Sequence, residues 1–359
     1  MNANYNENLP SKANYKQIYQ KFIKILPQKT RDIFDRRFGV KTGYPETLEA
    51  IGKTLGITRE RVRQIEEAGF NIIRKNNQEF LNNIFIDFKN YFEKHGGFRR
   101  EENILEELGG KNQKPYILFL LTLGGDQFIK VCEKKDYYSF WTNIPNAQTE
   151  IKNKLNILVS KMREVGKPIA KKDFYEIISS QIEISELTMQ SYLEISKRIQ
   201  SNKEGFLGLV EWPEIKPRGV KDKAYLVFKK HGKPLHFTKV AELIDKLEYN
   251  LPNSFRGSIS KKTFPQTVHN ELIKDERFVL VGRGTYALSE WGYAPGTIKD
   301  IILKVLSDKK EPVHKDEIVK EVLAQRFVAK NTVLMNLNNK KYFEKDENER
   351  YFLKDVQQS

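Results

Sequence analysis

A chain of 359 residues, 39% of them hydrophobic, is long and apolar enough to fold into several domains, which excludes a disordered polymer. Lys and Arg outnumber Asp and Glu by 62 to 47, and the resulting formal charge of +15 points to a polyanionic partner bound through counterion release. The single cysteine, Cys132, excludes an intrachain disulfide and a cysteine zinc cluster, and the absence of a signal peptide or a long apolar run predicts a cytoplasmic protein without membrane contact.

The polar start of the chain, residues 1–15, predicts a mobile tail, and residues 16–79 a small helical domain. Within it Leu48, Ile51 and Leu55 recur at helical spacing behind Thr47, a natural N-cap. Gly56 then supplies the left-handed residue of a sharp turn, and Thr58 caps a second helix. In that helix Val62, Ile65, Gly69 and Ile72 form an expected inward stripe, while Arg59, Glu60, Arg63 and Gln64 fall on the outward side near the N-terminus. Two short helices with a tight turn and an arginine-rich second helix predict a helix-turn-helix, whose second helix enters a major groove N-terminus first. Arg there can bind guanine through two hydrogen bonds, Gln can do the same with adenine, and Glu can accept from the cytosine amino group.

The run Arg37-Phe38-Gly39, Thr47-Leu48-Glu49, Gly52-Lys53 and Thr58-Arg59-Glu60-Arg61-Val62-Arg63-Gln64-Ile65-Glu66 resembles region 4 of sigma-70 family factors over about residues 25–78. That resemblance implies recognition of the −35 promoter element. By position it implies base reading by Arg59, Glu60 and Gln64, and backbone contacts by Thr58, Arg61, Arg63, Arg74 and Lys75. No aromatic, basic helix of the type that melts the −10 element follows, so a complete sigma factor is not expected.

An internal repeat follows. Gly166-Lys167-Pro168-Ile169-Ala170, Gly232-Lys233-Pro234-Leu235-His236 and Lys310-Glu311-Pro312-Val313-His314 share one phrase, each between amphipathic helices. Further on, Thr188-Met189 to Leu193, Thr267-Val268 to Leu272 and Thr332-Val333 to Leu337 mark a third helix. Each copy closes on two short apolar runs around a turn, clearest in Arg277-Phe278-Val279-Leu280-Val281-Gly282-Arg283-Gly284-Thr285-Tyr286-Ala287-Leu288. Three helices and a hairpin predict a winged helix in residues 150–215, 220–291 and 296–354, with a divergent copy at 80–143. The expected fold is mainly α: an N-terminal helix-turn-helix followed by tandem winged helices, each with a small β-hairpin. Stretches 142–146, 213–219 and 292–296 read as short Pro- and Gly-bearing linkers between domains with limited mutual contact.

In the 220–291 copy, Gly232-Lys233-Pro234-Leu235-His236-Phe237, Thr267-Val268 with Leu272, Arg277-Phe278, Gly284 and Tyr286-Ala287-Leu288 resemble the HARE-HTH domain, a winged helix also found in the RNA polymerase delta subunit. The basic residues Lys261, Lys262 and Arg283, with Arg256, surround its third helix and wing and offer a second DNA surface. Of the five histidines, His236 and His314 are equivalent repeat positions where Ala170 fills the third, which fits helix capping better than catalysis. No phosphate-cradling loop or catalytic constellation accompanies them, so no enzyme, metal or cofactor is expected.

The predicted function is a bacterial, transcription-associated DNA-binding protein in which the region 4-like domain reads a promoter-like duplex and the winged helices extend contact with double-stranded DNA or RNA polymerase. Two alternatives fit the same residues. One is a delta-like accessory protein that docks on RNA polymerase, and the other is the specificity subunit of a restriction or defence system.

Overall fold

The computed structural model describes residues 14–180, 182–246, 262–309 and 311–354. Lys261, Arg256 and residues 1–13 of the expected tail lie outside them. The chain divides into two compact units, 1–211 and 212–359.

The first unit opens with α1 (Tyr15–Ile23), α2 (Gln28–Phe38), α3 (Leu48–Leu55) and α4 (Arg59–Asn76). Asn14 caps α1 by accepting from the Gln17 N–H at 3.2 Å, and Tyr15 is only 1% exposed. Asn14 and Tyr15 therefore do not belong to the expected mobile tail, because the Tyr15 ring is needed in the core against Phe88.

Next come α5 (Gln78–Lys94), β1 (Phe98–Arg100), α6 (Glu101–Gly109), α7 (Lys114–Leu123), β2 (Ile129–Val131) and β3 (Phe140–Thr142). A helix reading Lys-Pro-Tyr-Ile-Leu-Phe-Leu-Leu-Thr-Leu is apolar around its circumference and must be covered on every side. One side of α7 faces its own winged helix; the other faces α1 and α2, where the Phe119 ring lies 4.9 Å from Tyr19 and 5.4 Å from Phe38. One core therefore runs through both domains, from Tyr19 and Phe34 to Phe128 and Trp141. Limited contact between neighbours does not hold here, because α7 has two apolar faces to bury.

The second winged helix is built from α8 (Ala147–Val165), β4 (Ile169–Ala170), α9 (Lys171–Ser179), α10 (Glu186–Ile195), β5 (Ile199–Ser201) and β6 (Phe206–Leu209). The stretch before it is shorter than the expected linker. Thr142 is buried in β3 and donates to the Gly97 carbonyl at 2.8 Å, and α8 already begins at Ala147.

The second unit repeats the plan twice. Its first copy is α11 (Gly219–His231), β7 (Leu235–His236), α12 (Phe237–Asp245), α13 (Pro265–Lys274), β8 (Phe278–Gly282) and β9 (Thr285–Leu288). The last copy is α14 (Ile298–Lys309), β10 (Val313–His314), α15 (Lys315–Gln325), α16 (Lys330–Leu337), β11 (Phe343–Lys345) and β12 (Arg350–Leu353). The expected linker at 292–296 is held in place. Arg326 is buried and its Nη2 donates to the carbonyls of Ala294 and Gly296 at 2.6 and 2.9 Å. Beside it the Phe327 N–H donates to the Val281 carbonyl at 2.7 Å, adding a parallel bridge to the outer edge of β8.

Among the described residues, each winged helix carries a three-stranded antiparallel sheet in which the strand after the first helix pairs with the last strand of the wing. Registers run Phe98 to Thr142, Ile169 to Leu207, Leu235 to Tyr286 and Val313 to Tyr351. The repeated proline phrase is thus a short strand, which turns the predicted hairpin into a three-stranded sheet. Cys132 falls just after β2 and its thiol is exposed.

Candidate nucleic-acid interface

Local chemistry fixes the helix-turn-helix before packing does. Thr47 Oγ1 accepts from the Ala50 N–H at 3.1 Å, and Thr58 Oγ1 accepts from the Arg61 N–H at 3.1 Å, so both helices are capped by the threonines that precede them. Gly56 closes α3 with φ +66°, a conformation that an L side chain would strain. Gly52 has a different reason to be glycine: a Cβ there would lie 2.7 Å from the Ile57 carbonyl oxygen, so the turn can fold back onto α3 only without a side chain. Ile33, Ile51 and Val62 then lock α2, α3 and α4 around a small apolar centre.

The inward face of α4 differs from the predicted stripe after Val62. Glu66, Gly69, Phe70 and Ile73 are buried, whereas Ile65 is half-buried and Ile72 is 39% exposed. Phe70 and Ile73 turn toward the aromatic core supplied by α7, a neighbour the local periodicity does not reveal. Glu66 is a buried carboxylate that accepts from Arg37 Nε at 3.3 Å, while Arg37 Nη1 donates to the Glu46 carbonyl at 3.1 Å. Burial pushes the Glu66 carboxyl upward and outweighs the opposing pull of Arg37. Arg37 thereby ties α2 to α4 and to the approach into α3.

Outward, Arg59, Glu60, Arg61, Arg63 and Gln64 lie at the N-terminal end of α4, and all five are exposed. Arg63 sits between two carboxylates, with Nη2 to Glu60 Oε1 at 2.8 Å and Nη1 to Glu67 Oε2 at 2.7 Å. The hydrogen bond from Arg63 holds the Glu60 carboxyl below its ordinary range, so it is an acceptor throughout the neutral range. Arg61 Nη1 donates to Gln64 Oε1 at 3.2 Å. Of the predicted readers, Glu60 and Gln64 are each paired with a neighbouring arginine on one solvent-facing end, and Arg59 makes no side-chain ion pair among the described residues. Glu67, which fixes Arg63 from below, is absent from the predicted set, although its i+4 spacing from Arg63 was visible.

Two of the predicted backbone contacts lie elsewhere. Arg74 and Lys75 occupy the last turn of the 18-residue α4, and Lys75 lies ~24 Å along the axis from Arg59 at 1.5 Å per residue. Lys75 is exposed, but Arg74 is half-buried and donates from Nε to the Leu123 carbonyl at 2.9 Å and from Nη1 to Asn71 at 3.0 Å. Arg74 fastens α4 to the end of α7 and is not presented with the cluster at Arg59. Thr58 has its oxygen engaged in the cap, leaving its hydroxyl proton as the group able to meet a phosphate.

On the second unit, Lys262 is exposed just before α13 and Arg283 is exposed at the tip of the β8–β9 wing. Lys261 lies outside the described residues. The wing turn rests on a histidine: a Cβ at Gly284 would lie 2.5 Å from His236 Nε2, and the Phe237 N–H donates to the Gly284 carbonyl at 3.0 Å. His236 caps α12 by accepting from the Thr238 N–H, and His314 caps α15 by accepting from the Asp316 N–H. His95 and His231, at equivalent helix ends, bond the Tyr91 and Val227 carbonyls. Among the described residues, no cluster of His, Cys, Asp and Glu converges on a metal position, and no helix is long and apolar enough to cross a membrane.

Two family models match this chain. Residues 22–75 match Sigma-70, region 4, and residues 218–291 match HARE-HTH, the helix-turn-helix domain described for ASXL and restriction endonucleases. The first spans α2 to α4 with the cluster at Arg59; the second spans the winged helix with the Arg283 wing. The chain thus carries two helix-turn-helix domains of DNA-binding type, in the order that their motifs predict.

Proposed function

We propose that a chain joining a sigma-70 region 4 domain to a HARE-HTH domain acts in bacterial transcription as a sequence-reading DNA-binding protein. Arg59, Glu60 and Gln64 read base edges in a promoter-like major groove, and Arg61, Arg63 and Thr58 hold the flanking phosphates. The protein binds and positions without catalysing a reaction, and works in the cytoplasm beside RNA polymerase. The observation that carries this reading is the outward set Arg59, Glu60 and Gln64 at the free end of a capped α4.

Selection of bound duplexes from a random pool, with the full chain and an Arg59→Ala/Gln64→Ala variant in parallel, tests it. A defined motif that the variant loses supports base reading. Lack of enrichment by either protein, with co-purification of RNA polymerase, supports the accessory-protein reading instead.

A further inference from the structure

In a helix-turn-helix the last helix of the motif is the one laid in the groove, so its outer face must be free. The equivalent helices of the four winged helices differ sharply in this respect. α7 is covered on both faces by the shared core. α10 is covered over its C-terminal half by the preceding winged helix. Tyr192 lies 4.7 Å from the Phe98 ring, the Ile195 carbonyl accepts from the Tyr138 N–H at 2.8 Å, and Glu194 accepts from Arg99 at 2.6 Å. α7 thus has no free face to lay in a groove, and α10 leaves only its first turn open, where Glu186 and Leu187 offer an acidic and an apolar side chain and no cation.

Among the described residues, the last two are covered on one side alone. In α13 the buried residues are Val268 and Leu272, and in α16 they are Val333 and Leu337. Their chemistry also differs. α13 carries Glu271 and an exposed Ile273, whereas from Arg326 to Phe343 the sequence has no Asp or Glu. α16 and the turn after it expose Lys330, Asn331, Asn338, Lys340 and Lys341, with Met335 standing 74% exposed among them. Lys330 is paired with Asp316 at 3.1 Å, an exposed contact that a phosphate can replace.

We infer that α16 and the 338–341 turn form a duplex-DNA contact surface of the last winged helix, a region that neither family match covers. It extends the DNA-binding reading above and rests on it for the identity of the polymer. Lys330, Lys340 and Lys341 neutralise phosphates, and the asparagines and Met335 face the groove. The wing of this domain takes no part, since Asp346, Glu347 and Glu349 make its turn acidic. The contact is therefore one of helix and turn, indifferent to sequence in its charged component.

The test is the salt dependence of full-chain binding to a duplex of fixed sequence, for the wild type, for Lys330→Gln/Lys340→Gln/Lys341→Gln, and for Lys152→Gln/Lys167→Gln/Lys172→Gln on the second winged helix. All six lysines are exposed, so both variants keep the fold. The α16 variant is expected to lower affinity equally on every sequence and to flatten the log–log salt slope by about 2–3, near 0.9 for each lost phosphate contact. The second variant, which removes equal charge, is expected to leave the slope unchanged. An unchanged slope for the α16 variant, or equal flattening by both, overturns the inference. Repeating the series with Arg59→Ala/Gln64→Ala separates the two sites: base preference reports α4, and the slope difference reports α16.

Discussion

Arg99 of β1 reaches across to Glu194 of α10, with Nη1 2.6 Å from Oε2, and at 4% exposure it is the buried hinge-pin between the first two winged helices. The same guanidinium meets Glu107 through Nη2 and the Tyr91 hydroxyl through Nε, and Gln190 braces Glu194 from the preceding turn. Removing one partner of such a network strands the others. Arg99→Ala is expected to cost ~3 kcal/mol of stability in chemical denaturation. Arg99→Lys restores charge without the fork and is expected to recover only part of that loss.

Gly52 lies where the turn oxygen of Ile57 leaves no room for a side chain. Gly52→Ala is expected to lower stability by ~1–3 kcal/mol through overpacking, and to weaken specific DNA binding together with it, because the turn sets the exit angle of α4. Gly56→Ala strains φ instead and is expected to cost ~1–2 kcal/mol. Thermal melts of the full chain, read beside binding to a selected duplex, check both.

Arg59 makes no side-chain ion pair among the described residues, unlike its neighbour Arg63, and Arg59→Ala is expected to lose ~1–3 kcal/mol on the preferred duplex and to relax one base position. Equal weakening on all duplexes would make Arg59 a phosphate contact. Glu67→Ala acts in the opposite sense. It releases Arg63 from one of its two carboxylates, so nonspecific affinity is expected to rise and the salt slope to steepen.

Asp275 accepts from Arg277 at both oxygens, 2.9 and 2.6 Å, while Arg277 also reaches Asp222, which receives the Arg218 N–H at the start of α11. The hydrogen bonds from Arg277 hold the Asp275 carboxyl below its ordinary value of 3.8. A depressed folded value means stability that is present above the unfolded value and lost as pH falls through the folded one. Asp275→Asn is therefore expected to be less stable than wild type at neutral pH, with the gap closing below pH 3.8. Urea denaturation midpoints across that range measure it. A gap independent of pH would assign the effect to packing.

The capped turn was legible because its information is local: Thr47, Gly56 and Thr58 each determine geometry within four residues. The repeat was legible for a similar reason, since apolar spacing defines its helices. The strand at Ile169–Ala170 or Val313–His314 was not, because two residues are too few to display alternation. The direction of α4 beyond Val62 depends on where α7 lies, which no window around Phe70 contains. Arg74 reads as a surface cation until the Leu123 carbonyl, far along the chain, is brought beside it. For the cluster at Arg59 the residue types and their face were readable, while the pairing of Arg61 with Gln64 emerged only with side-chain geometry.

Phe327 covers part of the outer edge of β8 by donating its N–H to the Val281 carbonyl. A fragment that stops after Gly296 would leave that edge open, with Leu280 already exposed along it. Unpaired apolar edges recruit strands from other molecules. Expression of the HARE-HTH segment alone would thus favour self-association, and a soluble recombinant piece should retain the chain through Leu353.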